Sequence, residues 1–159
     1  MVITLREAVP GDEAAILRLV RALAEYERAP DAVKASEADF TAALFGADAV
    51  AGCVLAEVDG AAVGLALWFR NFSTWTGRSG LYLEDLFVAP HARGLGVGRA
   101  LLVHLAGIAV SRGWARFEWS VLDWNAPAIG FYRALGARPM DEWTVMRLEG
   151  EALRRLAGG

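Results

Sequence analysis

Lysine is nearly missing from this 159-residue chain: Lys34 is the only one among 16 basic residues, and 19 acidic residues bring the net charge to −3. The arginines are spread along the sequence, without the clustered basic stripe of a nucleic-acid surface, so no DNA or RNA partner is expected. Cysteine is equally scarce. Cys53 stands alone, which excludes an internal disulfide, and with only His91 and His104 to join it a Cys/His zinc site lacks ligands. No metal is expected. There is no G-x-S-x-G elbow for a serine hydrolase, and no apolar run reaches the roughly 18 to 20 residues of a membrane span. Together with an amino terminus that begins a strand in place of a charged leader, these absences predict a cytoplasmic protein with no membrane partner. The length predicts a single domain over 1–159, large enough to bury a substantial core.

Hydrophobic periodicity and turn residues order the rest. Strands are expected at 2–6, 53–58, 63–69, 81–88, 115–122 and 142–148, with Asp59-Gly60 as the turn between the second and third. Helices are expected from Glu13 to about Arg28, from the N-cap Ser36 to Gly46, over 96–112 with Gly113 as its C-cap, and over 125–135. This order predicts an α+β fold with a mixed sheet. Cys53, within an apolar strand, reads as a buried structural thiol.

The junction of the 81–88 strand with the following helix carries the strongest chemical signal. Glycines at 94, 96 and 98 let the backbone approach an anion, the N–H groups of a helix start point the same way, and Arg93 adds a guanidinium. A nucleoside-triphosphate loop requires a lysine that nothing after Gly94 supplies. A dinucleotide fingerprint requires an acidic residue about 20 residues on, and the spacing of these glycines does not match it. A second motif, Asn125-Ala-Pro-Ala-Ile-Gly-Phe-Tyr132, places an N-cap and a first-turn proline at a helix start. Asn125 and Tyr132 then lie two turns apart on one face.

Arg93-x-x-Gly96-x-Gly98 resembles the pyrophosphate loop of the Gcn5-related N-acetyltransferase (GNAT) superfamily. Leu23-Ala24-Glu25-Tyr26-Glu27, Trp75, Tyr82-Leu83-Glu84-Asp85 and Trp124-Asn125 resemble its spermidine/spermine and thialysine acetyltransferase branch. The resemblance covers nearly the whole chain. It implies a mostly antiparallel mixed sheet of six to seven strands, splayed between strands four and five and flanked by about four helices. It implies acetyl-CoA as cofactor, with its pantetheine arm along Leu86, Phe87 and Val88. Arg93, Gly94, Leu95, Gly96, Val97, Gly98 and Arg99 would hold the pyrophosphate, and Asn125, Ala126, Pro127, Ala128 and Tyr132 would line the other side. Arg99 stands where a small hydroxyl residue is expected in the animal enzymes.

The reaction implied is direct acetyl transfer to the primary amine of a polyamine, diamine or thialysine-like amino acid. An amine of pKa near 10.4 is neutral in only about one molecule in 10³ at pH 7, so a base is needed. Glu84 is the candidate base and Tyr132 the candidate acid that protonates the leaving thiolate. Tyr26, Glu27, Trp75, Glu84, Asp85 and Glu142 are the candidate substrate-binding residues. Strand alternation turns Glu84 and Asp85 to opposite faces, so both line one pocket only if the strand bulges or the sheet splays there. A homodimer is expected from the family. Two other readings stay open: a protein or peptide N-acetyltransferase, and an acyl-CoA-binding sensor without turnover.

Overall fold

The structure, a computed structural model, describes residues 2–159. The chain divides into two compact units, 1–120 and 121–159.

The first unit is built on one sheet. Its strands β1 (Ile3–Glu7), β2 (Gly52–Val58), β3 (Ala61–Ser73), β4 (Arg78–Val88) and β5 (Phe117–Trp119) lie in chain order. The first three pairings are antiparallel, and β4 with β5 is parallel. The expected six to seven strands are thus five among the described residues. The 115–122 strand contracts to Phe117–Trp119, and 142–148 carries no strand at all. Alternating apolar residues do not make a strand where no neighbour supplies hydrogen bonds. The β2–β3 hairpin turns at Asp59 and Gly60, both at positive φ (51° and 81°), as the Asp-Gly pair predicts.

Helix α1 (Glu13–Tyr26) lays Ile16, Leu17, Leu19 and Leu23 on the sheet with Phe40 of α2 (Glu37–Phe45), against Cys53, Leu55, Val63, Leu65 and Phe87. Cys53 is buried there, and burial pushes its thiol up to about 12, as a structural role requires. The start of α1 is tied down by Arg6, whose two terminal nitrogens donate to Asp12 at 2.8 and 2.9 Å while its Nε donates to Glu57. Ser36 caps α2 in a full capping box with Asp39. Helix α3 (Val97–Ser111) buries Val97, Leu101, Leu102, Leu105 and Ala109 over the other sheet face. A Cβ on Gly64 would stand 3.4 Å from Val97 on that side, whereas its neighbours Val63 and Leu65 belong to the α1 core.

The second unit contains α4 (Ala126–Ala134) and a helix that the sequence pattern does not announce, α5 (Gly150–Leu156). Five α-helices among the described residues therefore replace the expected four or so.

Candidate active site

A defect in the β3–β4 ladder creates the acidic centre of the first unit. Leu67 pairs with Asp85 and Trp68 with Leu83, so Glu84 is an extra residue without an opposite number. Such a bulge breaks strict alternation, which is the condition that lets adjacent carboxylates share a cavity. Glu84 and Asp85 both line a cavity of about 400 Å³, with Glu27 from the end of α1 and Lys34 and Phe40 from the α2 side. Glu84 is exposed and Asp85 half-buried. Burial first, then the charges of Glu84 and Glu27, raise the Asp85 carboxyl from 3.8 to about 6. Burial also raises Glu27. Carboxylates held above their ordinary range lower their energy by receiving a cation.

Helix α1 ends beside this cavity in a Schellman turn. Ala29 N–H donates to Ala24 O and Arg28 N–H to Glu25 O, with Arg28 at φ 63°. That turn fixes the position of Tyr26 and Glu27 relative to the sheet.

On the other side of the same strand, β5 pairs with β4 only at Leu81, Tyr82 and Leu83. Leu86, Phe87 and Val88 therefore continue past the end of β5 with no strand on that edge among the described residues. After a 3-10 turn over Pro90–Ala92, Arg93 leads into Gly94 (φ 79°) and Gly96 (φ 84°), and Gly96 is the N-cap of α3. No atom lies within 4 Å of where a Cβ would stand on Gly94 or Gly96, so this backbone faces open space. The first turn of α3 holds no acidic residue and includes Arg99. Amide donors, helix dipole and cation together fit a diphosphate. The Arg93 side chain is folded back: its Nε donates to Val88 O at 2.9 Å, and its guanidinium lies over the Tyr26 and Phe87 rings.

In the second unit, the Asn125 side chain accepts from Ala128 N–H at 3.3 Å, and Pro127 occupies the first turn of α4, as the motif predicts. Tyr132 is half-buried on this helix, its ring 5.6 Å from that of Phe131. Glu142 lies in the exposed stretch without regular structure. Trp75 sits at the exposed β3–β4 turn, 79% accessible.

Residues 16–137 match the acetyltransferase (GNAT) family. The chain belongs to the GNAT acetyltransferase family. Within it, a thialysine N-epsilon-acetyltransferase of Sus scrofa is 42% identical over 98% of this chain and 98% of its own length. The Mus musculus protein of that name is 40% identical over 97% and 96%. Human spermidine/spermine N(1)-acetyltransferase-like protein 1 is 32% identical over 96% of this chain, which spans 23% of that protein. Among solved structures, an integron cassette protein from the mobile metagenome of V. cholerae superposes with a TM-score of 0.78 at 30% identity, covering 100% of this chain and 99% of its own. The resemblance read from the motifs is therefore correct, and this GNAT chain is an acetyltransferase.

Sequence reasoning missed how the cavity is walled. Phe40 and Lys34 reach it through the fold of α2 against α1, and their sequence neighbourhood carries no motif. The carboxyl raised by burial is Asp85, named from the sequence among the substrate-binding candidates, and Glu84, named as the base, lines the same cavity.

Proposed function

We propose that this protein acetylates the primary amine of a small cationic acceptor, with acetyl-CoA as donor. The observation that carries this reading is the bulge at Glu84, which gathers Glu27, Glu84 and Asp85 in one cavity on the strand that leads into the glycine loop. Acetyl-CoA would supply an activated thioester. Gly94, Leu95, Gly96, Val97, Gly98 and Arg99 would hold its diphosphate through amides and cation, with Arg93 bracing the loop. Leu86, Phe87 and Val88 would pair with the pantetheine arm as an added strand, and Asn125, Ala126, Pro127, Ala128 and Tyr132 would line its other side.

The acceptor arrives as an ammonium, which the carboxylates of Glu27 and Asp85 attract, with Tyr26, Trp75 and Glu142 as further contacts. Glu84, exposed at the bulge, takes a proton from the amine directly or through water. The amine nitrogen would bond to the acetyl carbon as the C–S bond breaks, the Tyr132 hydroxyl giving a proton to the departing sulfur and its phenolate taking the surplus proton of the acylated nitrogen, while Glu84 passes its own proton to solvent. Atoms and charge balance without a covalent enzyme intermediate, and without Cys53. A single catalytic domain over 1–159 belongs to the same proposal, supported by a family match that runs from residue 16 to 137, past the boundary at 120. A homodimer belongs to the same reading, favoured by the exposed Trp143, Val145, Met146 and Leu148.

Release of CoA thiol from acetyl-CoA, followed with a panel of polyamines, diamines, basic amino acids and basic peptides, tests the proposal. Turnover of small amines above peptides at equal concentration is the expected result. Turnover confined to peptides, or none above the blank, would reject it. Among the described residues no helix is long and apolar enough to cross a membrane.

A further inference from the structure

The opening between β4 and β5 is tied at its apex by one side-chain bond. The two strands run parallel and pair Leu81 with Phe117, Tyr82 with Glu118 and Leu83 with Trp119, and among the described residues the pairing stops there. Just past that point the hydroxyl oxygens of Tyr82 and Ser120 lie 2.8 Å apart, and either can donate to the other. Ser120 is the first residue after β5, so the bond crosses the place where the two chains cease to pair.

Register and packing give this bond its direction. Tyr82 pairs with Phe69 and Asp85 with Leu67, alternate positions of β3, so Tyr82 faces the side of the sheet on which Asp85 lines the acidic cavity. The Tyr82 ring packs on that of Phe69, with centres 5.1 Å apart, while its hydroxyl reaches across to the β5 side. It bonds there not to its register partner Glu118 but to the residue two further on, which stands one position beyond the last pair, as the bulge residue Glu84 does on β4. An exposed hydroxyl pair adds little to stability, because water competes for both groups. Its place at the apex is what gives it a consequence.

We infer that the Tyr82–Ser120 pair is the stop that limits the donor's acyl group to a short chain. The inference rests on the acetyltransferase reading above and adds a specificity determinant on the donor side. In that reading the glycine loop, which follows the Val88 end of β4, holds the diphosphate, and the pantetheine arm lies back along Val88, Phe87 and Leu86. The acyl carbons are then the leading end and point to the apex. An acetyl group fits in front of the tied strands, whereas each further methylene has to part the two hydroxyls or bend away from them.

Butyryl-CoA and acetyl-CoA separate these cases, because they differ by two methylenes. With the full-length protein and no amine, calorimetry gives Kd for both donors in the wild type, in Tyr82→Phe, in Ser120→Ala and in the double variant. The wild type is expected to bind acetyl-CoA about tenfold or more tighter, the discrimination that a methylene or two gives in a closed pocket. Each single variant is expected to lose most of that ratio, and the double variant to lose no more than a single one, since either substitution breaks the same bond. Being a ratio within one preparation, it is insensitive to partial loss of folded protein. Equal affinities in the wild type, a ratio unmoved in either single variant, or losses that add in the double variant overturn the stop, and amine acetylation then stands on thiol release with acetyl-CoA. A wild type that binds neither donor and releases no thiol with any amine overturns both.

Discussion

The guanidinium carbon of Arg93 lies 5.0 Å from the centre of the Tyr26 ring and 5.6 Å from that of Phe87. One cation thereby joins the end of α1, the site strand β4 and the loop that opens α3. Its Nε–H bond to Val88 O closes the last of these connections. The arginine that opens the glycine motif is consequently a brace between the glycine loop and the Tyr26–Glu27 end of the acidic cavity.

Arg93→Lys keeps the charge but loses the planar stack and the Nε donor. Loss of an exposed cation–π contact and one charge-assisted bond is expected to destabilise the chain by about 1 to 2 kcal/mol. Urea denaturation measures it. Because the brace reaches both ends of the site, KM is expected to rise for the amine as well as for acetyl-CoA. A change confined to acetyl-CoA would mean that Arg93 serves the diphosphate alone.

Gly64 tests how tightly β3 must approach β4. A Cβ at this position would stand 2.9 Å from the Phe87 carbonyl oxygen, a backbone atom that cannot rotate away, and 3.4 Å from Val97 at the start of α3. Gly64→Ala should cost about 1 to 3 kcal/mol, as overpacking does. A denaturation midpoint equal to that of the wild type would show that the strands have slack there.

The parts of this fold legible in the sequence are those determined locally. Ser36, Asp59-Gly60, the glycines of the loop that opens α3, and Asn125 with Pro127 each encode their geometry within a few residues, and each stands as expected. The 142–148 segment was not legible, since alternation states only that a residue set suits a strand and the partner decides whether one forms. Glu84 and Asp85 are intermediate. Their adjacency left two arrangements open, and the register slip opposite Leu67 and Trp68 chose between them. Long-range pairing of that kind, like the juxtaposition of Arg93 with Tyr26 or of Trp68 with Arg112, has no signature within either segment.

Tyr132→Phe removes one hydroxyl from α4 and keeps the ring that contacts Phe131. If that hydroxyl protonates the leaving sulfur, kcat should fall by about two orders of magnitude, within the usual range for general acid catalysis. KM for acetyl-CoA should stay within a few-fold. Retention of full turnover would remove Tyr132 from the proton path.

Asp85 links stability and activity through a single proton. Its carboxyl titrates at about 6 in the folded chain against 3.8 for the ordinary group, so between these values the folded state binds more protons than the unfolded one. Stability from this residue is therefore full below about pH 4, falls as pH rises, and is at its lowest above about pH 6. Asp85→Asn abolishes the titration. The variant should be more stable than the wild type at pH 7.5 by about 1 to 3 kcal/mol, with the difference vanishing toward pH 4. Urea midpoints at the two pH values measure this directly. Activity should move the other way, because the ionised carboxyl attracts the ammonium: kcat/KM of the wild type should show an acid limb near pH 6. Asp85→Asn should lack that limb and run at least about tenfold slower at pH 7.5, the scale of one charge-assisted contact. Equal stability of the two proteins at pH 7.5 would mean that the carboxyl is better solvated than its burial implies. An acid limb that survives in Asp85→Asn would show that Asp85 is not the group that sets it.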